Sequence, residues 1–109
     1  MHILLANEPR TYREVMAAAF RRLRPEFAVT TVAPDDLDQL VEQLVPGLVM
    51  CSRLTALVEQ HTRAWVVLSP DPQTPALISI ENERTTVIAV ELEELLAVID
   101  RAWHVATNL

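Results

Sequence analysis

The chain has 109 residues, 50% of them hydrophobic, with one Gly, one Cys and seven Pro. All nine basic residues are Arg, there is no Lys, and 15 acidic residues leave a formal net charge of -6. These counts exclude an internal disulfide, a glycine-rich phosphate loop with its lysine, and Schiff-base chemistry through lysine. An acidic chain also argues against binding a phosphate backbone, so no nucleic acid is expected as a partner.

The length suits one domain with its own core, spanning residues 1–109. The early apolar run Ile3-Leu4-Leu5-Ala6 is too short for a signal segment, and no stretch reaches the roughly 20 apolar residues of a membrane helix. The expectation is a cytoplasmic protein with no membrane contact.

Residues 2–6 are apolar without periodicity, as in a buried central strand. Thr11 and Glu14 have capping-box spacing, and Tyr12, Val15, Met16, Ala19 and Leu23 predict one face of a helix closed by Pro25. Arg21, Arg22 and Arg24 read as the solvated end of that helix, where cations suit the dipole. Phe27 to Val32 predict a second strand. Ala33-Pro34-Asp35-Asp36 starts a second helix, with Leu37, Leu40, Val41 and Leu44 as its stripe and Pro46-Gly47 as its end. Asp35, Asp36 and Asp38 are explained by that helix start. Leu48-Val49-Met50-Cys51 is a third buried strand. A short helix capped by Thr55 follows, with Leu57 and Val58 inside, and Trp65-Val66-Val67-Leu68 is a fourth strand. Strands alternating with helices in this order imply a parallel sheet with helices on both faces.

Three prolines between Pro70 and Pro75 then forbid a regular helix. Ala76 to Ile80 and Arg84 to Val90 predict a β-hairpin joined by Glu81-Asn82-Glu83, without the usual turn glycine. Leu92, Leu95, Leu96, Ile99 and Trp103 define a closing helix whose first turn carries Glu91, Glu93 and Glu94, with a frayed tail after Trp103. Trp65 and Trp103 read as core or interface anchors.

Over residues 1–68, and more loosely in the last helix, the chain resembles a response-regulator receiver domain. Leu4 to Glu14 is similar to the start of receivers that precede helix-turn-helix output domains. Pro46 to Ser52 is similar to the third-strand motif ending in the phosphoacceptor aspartate, Trp65 to Ser69 to the fourth strand ending in Ser or Thr, and Glu94 to Ile99 to the last helix. The resemblance implies a flavodoxin-like three-layer α/β/α sandwich with parallel order 2-1-3-4, to which the hairpin adds a C-terminal antiparallel extension. The family's fourth helix is replaced by loop 69–75 and hairpin 76–90.

In the family, two acids and the phosphoacceptor hold Mg²⁺, and a lysine neutralises the acyl phosphate. The acid pair here is Asn7-Glu8, the phosphoacceptor position is Ser52, and the lysine's nearest positions are the apolar Ile88 and Ala89. Only Glu8 and Ser69 match that chemistry. The resemblance therefore implies a pseudo-receiver that is not phosphorylated and acts through contacts with a protein partner or itself, as in a homodimer. No metal or cofactor is expected.

Two other uses of the same residues stay open. Asn7, Cys51, Ser52, Arg53 and Ser69 could line a small-ligand crevice at the carboxyl ends of the strands. Cys51 could be a thiol nucleophile with Arg53 lowering its pKa, although His2, His61 and His104 are poorly placed as bases. The expected interaction edge is the β-prone hairpin, with Leu77, Ile78, Ile80, Thr86 and Ile88.

Overall fold

The computed structural model describes residues 1–108, so of the expected domain only Leu109 lies outside the described residues. In chain order it forms β1 (His2–Ala6), α1 (Arg10–Leu23), β2 (Ala28–Thr31), a 3-10 turn over Pro34–Asp36 that runs into α2 (Leu37–Leu44), β3 (Leu48–Cys51), α3 (Ala56–His61), β4 (Ala64–Val67), β5 (Ala76–Ile80), β6 (Glu83–Val87) and α4 (Leu92–Thr107). One mixed sheet runs β2-β1-β3-β4-β5-β6. The first four strands are parallel, and β5 and β6 are antiparallel additions. No helix among the described residues is long and apolar enough to cross a membrane.

The central strands read as unbroken apolar runs because both of their faces are covered. Ile3, Leu5, Leu48, Met50 and Val66 enter one core, closed by Met16, Ala17 and Phe20 of α1 and by Leu95, Val98, Ile99 and Ala102 of α4. Leu4, Ala6, Val49, Cys51 and Trp65 enter the other, closed by Leu37 and Val41 of α2 and Val58 of α3.

The buried face of α1 differs from the predicted one. Arg13, Met16, Ala17 and Phe20 are buried, while Val15 is 63% and Leu23 41% exposed. Residues 13, 16, 17 and 20 have the same i, i+3, i+4, i+7 spacing, and Phe20 is their largest apolar anchor. The start of α1 also shifts. Pro9 is the N-cap, its carbonyl accepts from Tyr12 and Arg13, and the predicted cap Thr11 lies inside the helix. The capping box belongs to α4, where the Glu91 and Glu94 side chains satisfy each other's backbone N–H groups. That helix runs on to Thr107, beyond the predicted fray at Trp103. Trp103 leans on Phe27, with ring centroids 5.4 Å apart, and Thr107 donates to the Trp103 carbonyl.

The only glycine does not end α2. Val45 does, in the left-handed region at φ 45° and ψ 62°. A β-branched side chain is strained there. An added Cβ at Gly47 would meet the Met1 side chain, which would have to shift. Val45 is 78% exposed, so Val45→Gly gives up little burial. It is expected to stabilise the fold by about 1 kcal/mol in urea unfolding.

The hairpin turn is two residues, Glu81-Asn82, with φ 49° and 70°, rather than the predicted three. Positive φ at both positions is the turn geometry whose twist suits a hairpin, and Asn tolerates it without glycine. β6 ends at Val87 rather than Val90, because Ala89 also takes a positive φ of 54° and breaks the extended run. As the prolines require, the segment between β4 and β5 has no helix. Asp71 folds it, its carboxylate accepting from the Gln73 N–H and the Thr74 hydroxyl.

With no helix between β4 and β5, the α3-side face of β4 is covered in another way. Arg84 of β6 lies 5.1 Å from the Trp65 ring centroid and pairs at 2.7 Å with Glu59 of α3. On the opposite face, Arg24 makes a paired contact with Asp100, both bonds at 2.8 Å, tying the end of α1 to α4. The hydrogen bond from Arg24 holds the Asp100 carboxyl below its ordinary value. A depressed carboxyl adds stability that is present at neutral pH and lost as pH falls through its folded pKa. Asp100→Asn is therefore expected to flatten the acid limb of the stability curve slightly.

Candidate functional site

Parallel register brings Ala6, Cys51 and Val67 level at the carboxyl ends of β1, β3 and β4. The residues just beyond them are the ones the sequence singles out. Asn7 is fully buried, and its Nδ2 donates to the Leu68 carbonyl at 3.1 Å, stapling the end of β1 to that of β4. Its Oδ1 is buried without a partner. The Glu8 N–H donates to Ser52 Oγ at 2.7 Å, tying β1 to β3.

Arg13, which no sequence motif marks, joins this group. Its side chain is only 10% exposed. Nη1 donates to the Asn7 carbonyl at 3.3 Å and lies 3.4 Å from Glu8 Oε2, while Nε is buried and unpartnered. The available signal was its position three residues before Met16 on the buried stripe. An arginine there snorkels, burying its stem while its head seeks a carboxylate. A cation of the chain itself thus sits beside the Glu8 carboxylate at this strand end.

Ser69 stands apart. Its Oγ accepts from the Asp71 N–H at 3.2 Å and shapes the proline-rich loop. It borders a depression of about 250 Å³ shared with Tyr12, Leu68 and Val90. Cys51, Ser52 and Arg53 border another of about 290 Å³, with Glu8, Asp35 and Thr55. The single crevice expected from the sequence is two depressions, and Asn7 is buried between strand ends rather than lining either.

Cys51 is 1% exposed, and burial, with the charge of Asp38 adding to it, pushes its thiol up to about 12. This is the opposite of the direction a nucleophile requires, and exposed Arg53 does not reverse it. Stability from this raised pKa is full below the ordinary value of 9.0 and is lost as pH climbs toward about 12. Iodoacetamide is expected to leave Cys51 intact in the folded protein at neutral pH and to label it in denaturant. Labelling at equal rates in both states would contradict the burial.

The histidines lie away from this thiol. His2 is at the amino end of β1, 2.6 Å from Thr30 Oγ1, with its pKa lowered by burial and by the N-terminus. His61 ends α3, and His104 lies within α4. Thr55 caps α3 as expected, accepting from the Val58 N–H and donating to Asp38 at 2.7 Å. No group of three or more His, Cys, Asp or Glu among the described residues is placed to share a metal ion.

The hairpin residues divide in the same plain way. Ile78 and Ile80 are core, Leu77 is half-buried, Thr86 is exposed, and Ile88, just past β6, is 70% exposed. β5 lies between β4 and β6, so the open edge is β6 alone on that side. Compared with family models, curated proteins and solved structures, the chain has no significant match.

Proposed function

We propose that the chain is a receiver-like regulatory module of the cytoplasm, with a flavodoxin-like α/β/α frame, that is not phosphorylated and works through protein contacts. The observation that carries this reading is Arg13 seated on Glu8. Mg²⁺ needs several oxygen ligands at one point, and a guanidinium competes for the Glu8 carboxylate. Ser52 supplies no carboxylate, and its oxygen already accepts the Glu8 N–H. The pseudo-receiver likeness of the sequence and the open β6 edge support the same reading.

Its test is thermal unfolding with and without Mg²⁺ at constant ionic strength. A ligand of the folded state raises Tm in a saturable way. We expect no Mg²⁺-specific rise, and a saturable one would overturn the reading.

A second reading is favoured by the depression beside Ser52, which carries both signs of charge in Glu8, Asp35 and Arg53. It would make the chain a small-ligand sensor. A screen of nucleotides, sugar phosphates and organic acids would then raise Tm, and Ser52→Trp would abolish the rise. No response from any of them would eliminate the sensor.

A further inference from the structure

We infer that two copies of this chain pair through β6, antiparallel, about a two-fold axis at Thr85. The inference rests on the reading of the chain as an interaction module and names its partner as a second copy.

The backbone of the hairpin decides which groups are free. In a two-residue turn the flanking residues, Ile80 and Glu83, form the closing hydrogen-bonded pair. Alternation then points the backbone groups of Glu83, Thr85 and Val87 toward β5. The Glu81 N–H bonds Arg63 on the β4 side at 2.8 Å, in keeping with this parity. The N–H and C=O groups of Arg84 and Thr86 therefore face the open edge.

Edge strands are commonly guarded by proline, a bulge or a projecting charge. β6 has no proline, and its pairing with β5 is unbroken from Ala76↔Val87 to Ile80↔Glu83. Of its two charged residues, Arg84 is drawn across the sheet onto Trp65 and Glu59, and Glu83 sits at the turn end, leaving Thr85 and Thr86 uncharged at the middle of the edge.

Register follows from charge and length. Two-fold antiparallel pairing must set outward residues opposite outward residues. Centring on Arg84 pairs only residues 83–85 and sets Thr86 and Val87 against the partner's turn. Centring on Thr86 runs the pairing into Ala89, which has left the extended region. Centring on Thr85 pairs Arg84 with Thr86, Glu83 with Val87 and Thr85 with itself. It uses all of β6, opposes no like charges and forms a cross-strand Thr–Thr pair. Ile88 then comes opposite the partner's turn, where its exposed side chain gains cover.

The experiment measures mass by light scattering across a concentration series, with circular dichroism to verify folding. Wild type is expected to reach twice the monomer mass. Thr85→Lys and Thr85→Glu, at an exposed position, should each stay monomeric and folded, because each sets like charges across the axis. Mixing them in equal amounts should restore the doubled mass. Thr85→Cys should cross-link under mild oxidation, since Cys51 is buried and does not compete. A wild type that is monomeric throughout overturns the inference, as does a dimer indifferent to either charge or a mixture that fails to pair. A monomeric wild type leaves the parent reading standing, whereas phosphoryl transfer to the chain would overturn only that reading.

Discussion

Trp65→Ala is expected to lower the free energy of unfolding by about 3–5 kcal/mol, measured by urea titration. Trp65 is 2% exposed and is the largest fully buried side chain among the described residues. It lies in β4 on the face where no helix follows that strand, packed in the core with Val58, Val67 and Leu77. Its truncation removes the largest member of that core together with the surface on which Arg84 rests. Domains of this size have only about 5–15 kcal/mol in total, so the variant would sit near its folding threshold. Arg84→Ala provides the internal control. Arg84 and Glu59 are each more than two fifths exposed, so solvent screens their pair, and the loss should be about 1 kcal/mol or less. Equal losses for the two variants would show that the charged roof, rather than the indole, holds this face.

Arg13→Ala has the second largest expected effect, a loss of about 1–3 kcal/mol. Most of it comes from the buried stem and from the Asn7 carbonyl left without its donor. The ion pair itself contributes less, because the Glu8 side chain is 55% exposed. Arg13→Met separates the two parts, restoring the stem but not the hydrogen bond. Its stability should fall between those of Arg13→Ala and wild type. If Arg13→Met were as unstable as Arg13→Ala, the guanidinium rather than the stem would dominate.

The strands of the central sheet were legible because a strand buried on both faces needs an uninterrupted apolar run, as in residues 2–6 and 48–51. The hairpin was legible from prolines that bar a helix and from β-branched residues that follow. What failed was the choice among equivalent helical stripes. Val15 and Leu23 look as apolar as Met16 and Phe20, and only the position of the sheet decides which are covered. The same limit hid Arg13, since a charged residue on a buried stripe reads as an error until its carboxylate partner is known. Val45 shows a third limit, a local preference overridden. Pro46-Gly47 looks like the end of a helix, yet Gly47 sits level with the start of β1, its N–H bonding the His2 carbonyl. Strain falls on Val45 as a result. At the strand ends, Asn7, Glu8 and Ser52 adjoin because parallel register brings the ends of β1 and β3 level. Ser69 was not separated from them in the sequence, because its side chain turns into the loop that Asp71 folds.

The most direct test of a frame without phosphoryl chemistry is the intact mass of the folded protein after incubation with Mg²⁺ and a small acyl-phosphate donor. The mass should be unchanged, because Glu8 is held by Arg13, Ser52 follows β3 and the chain has no lysine. A stoichiometric gain of one phosphoryl group, removable by hydroxylamine as an acyl phosphate is, would contradict this.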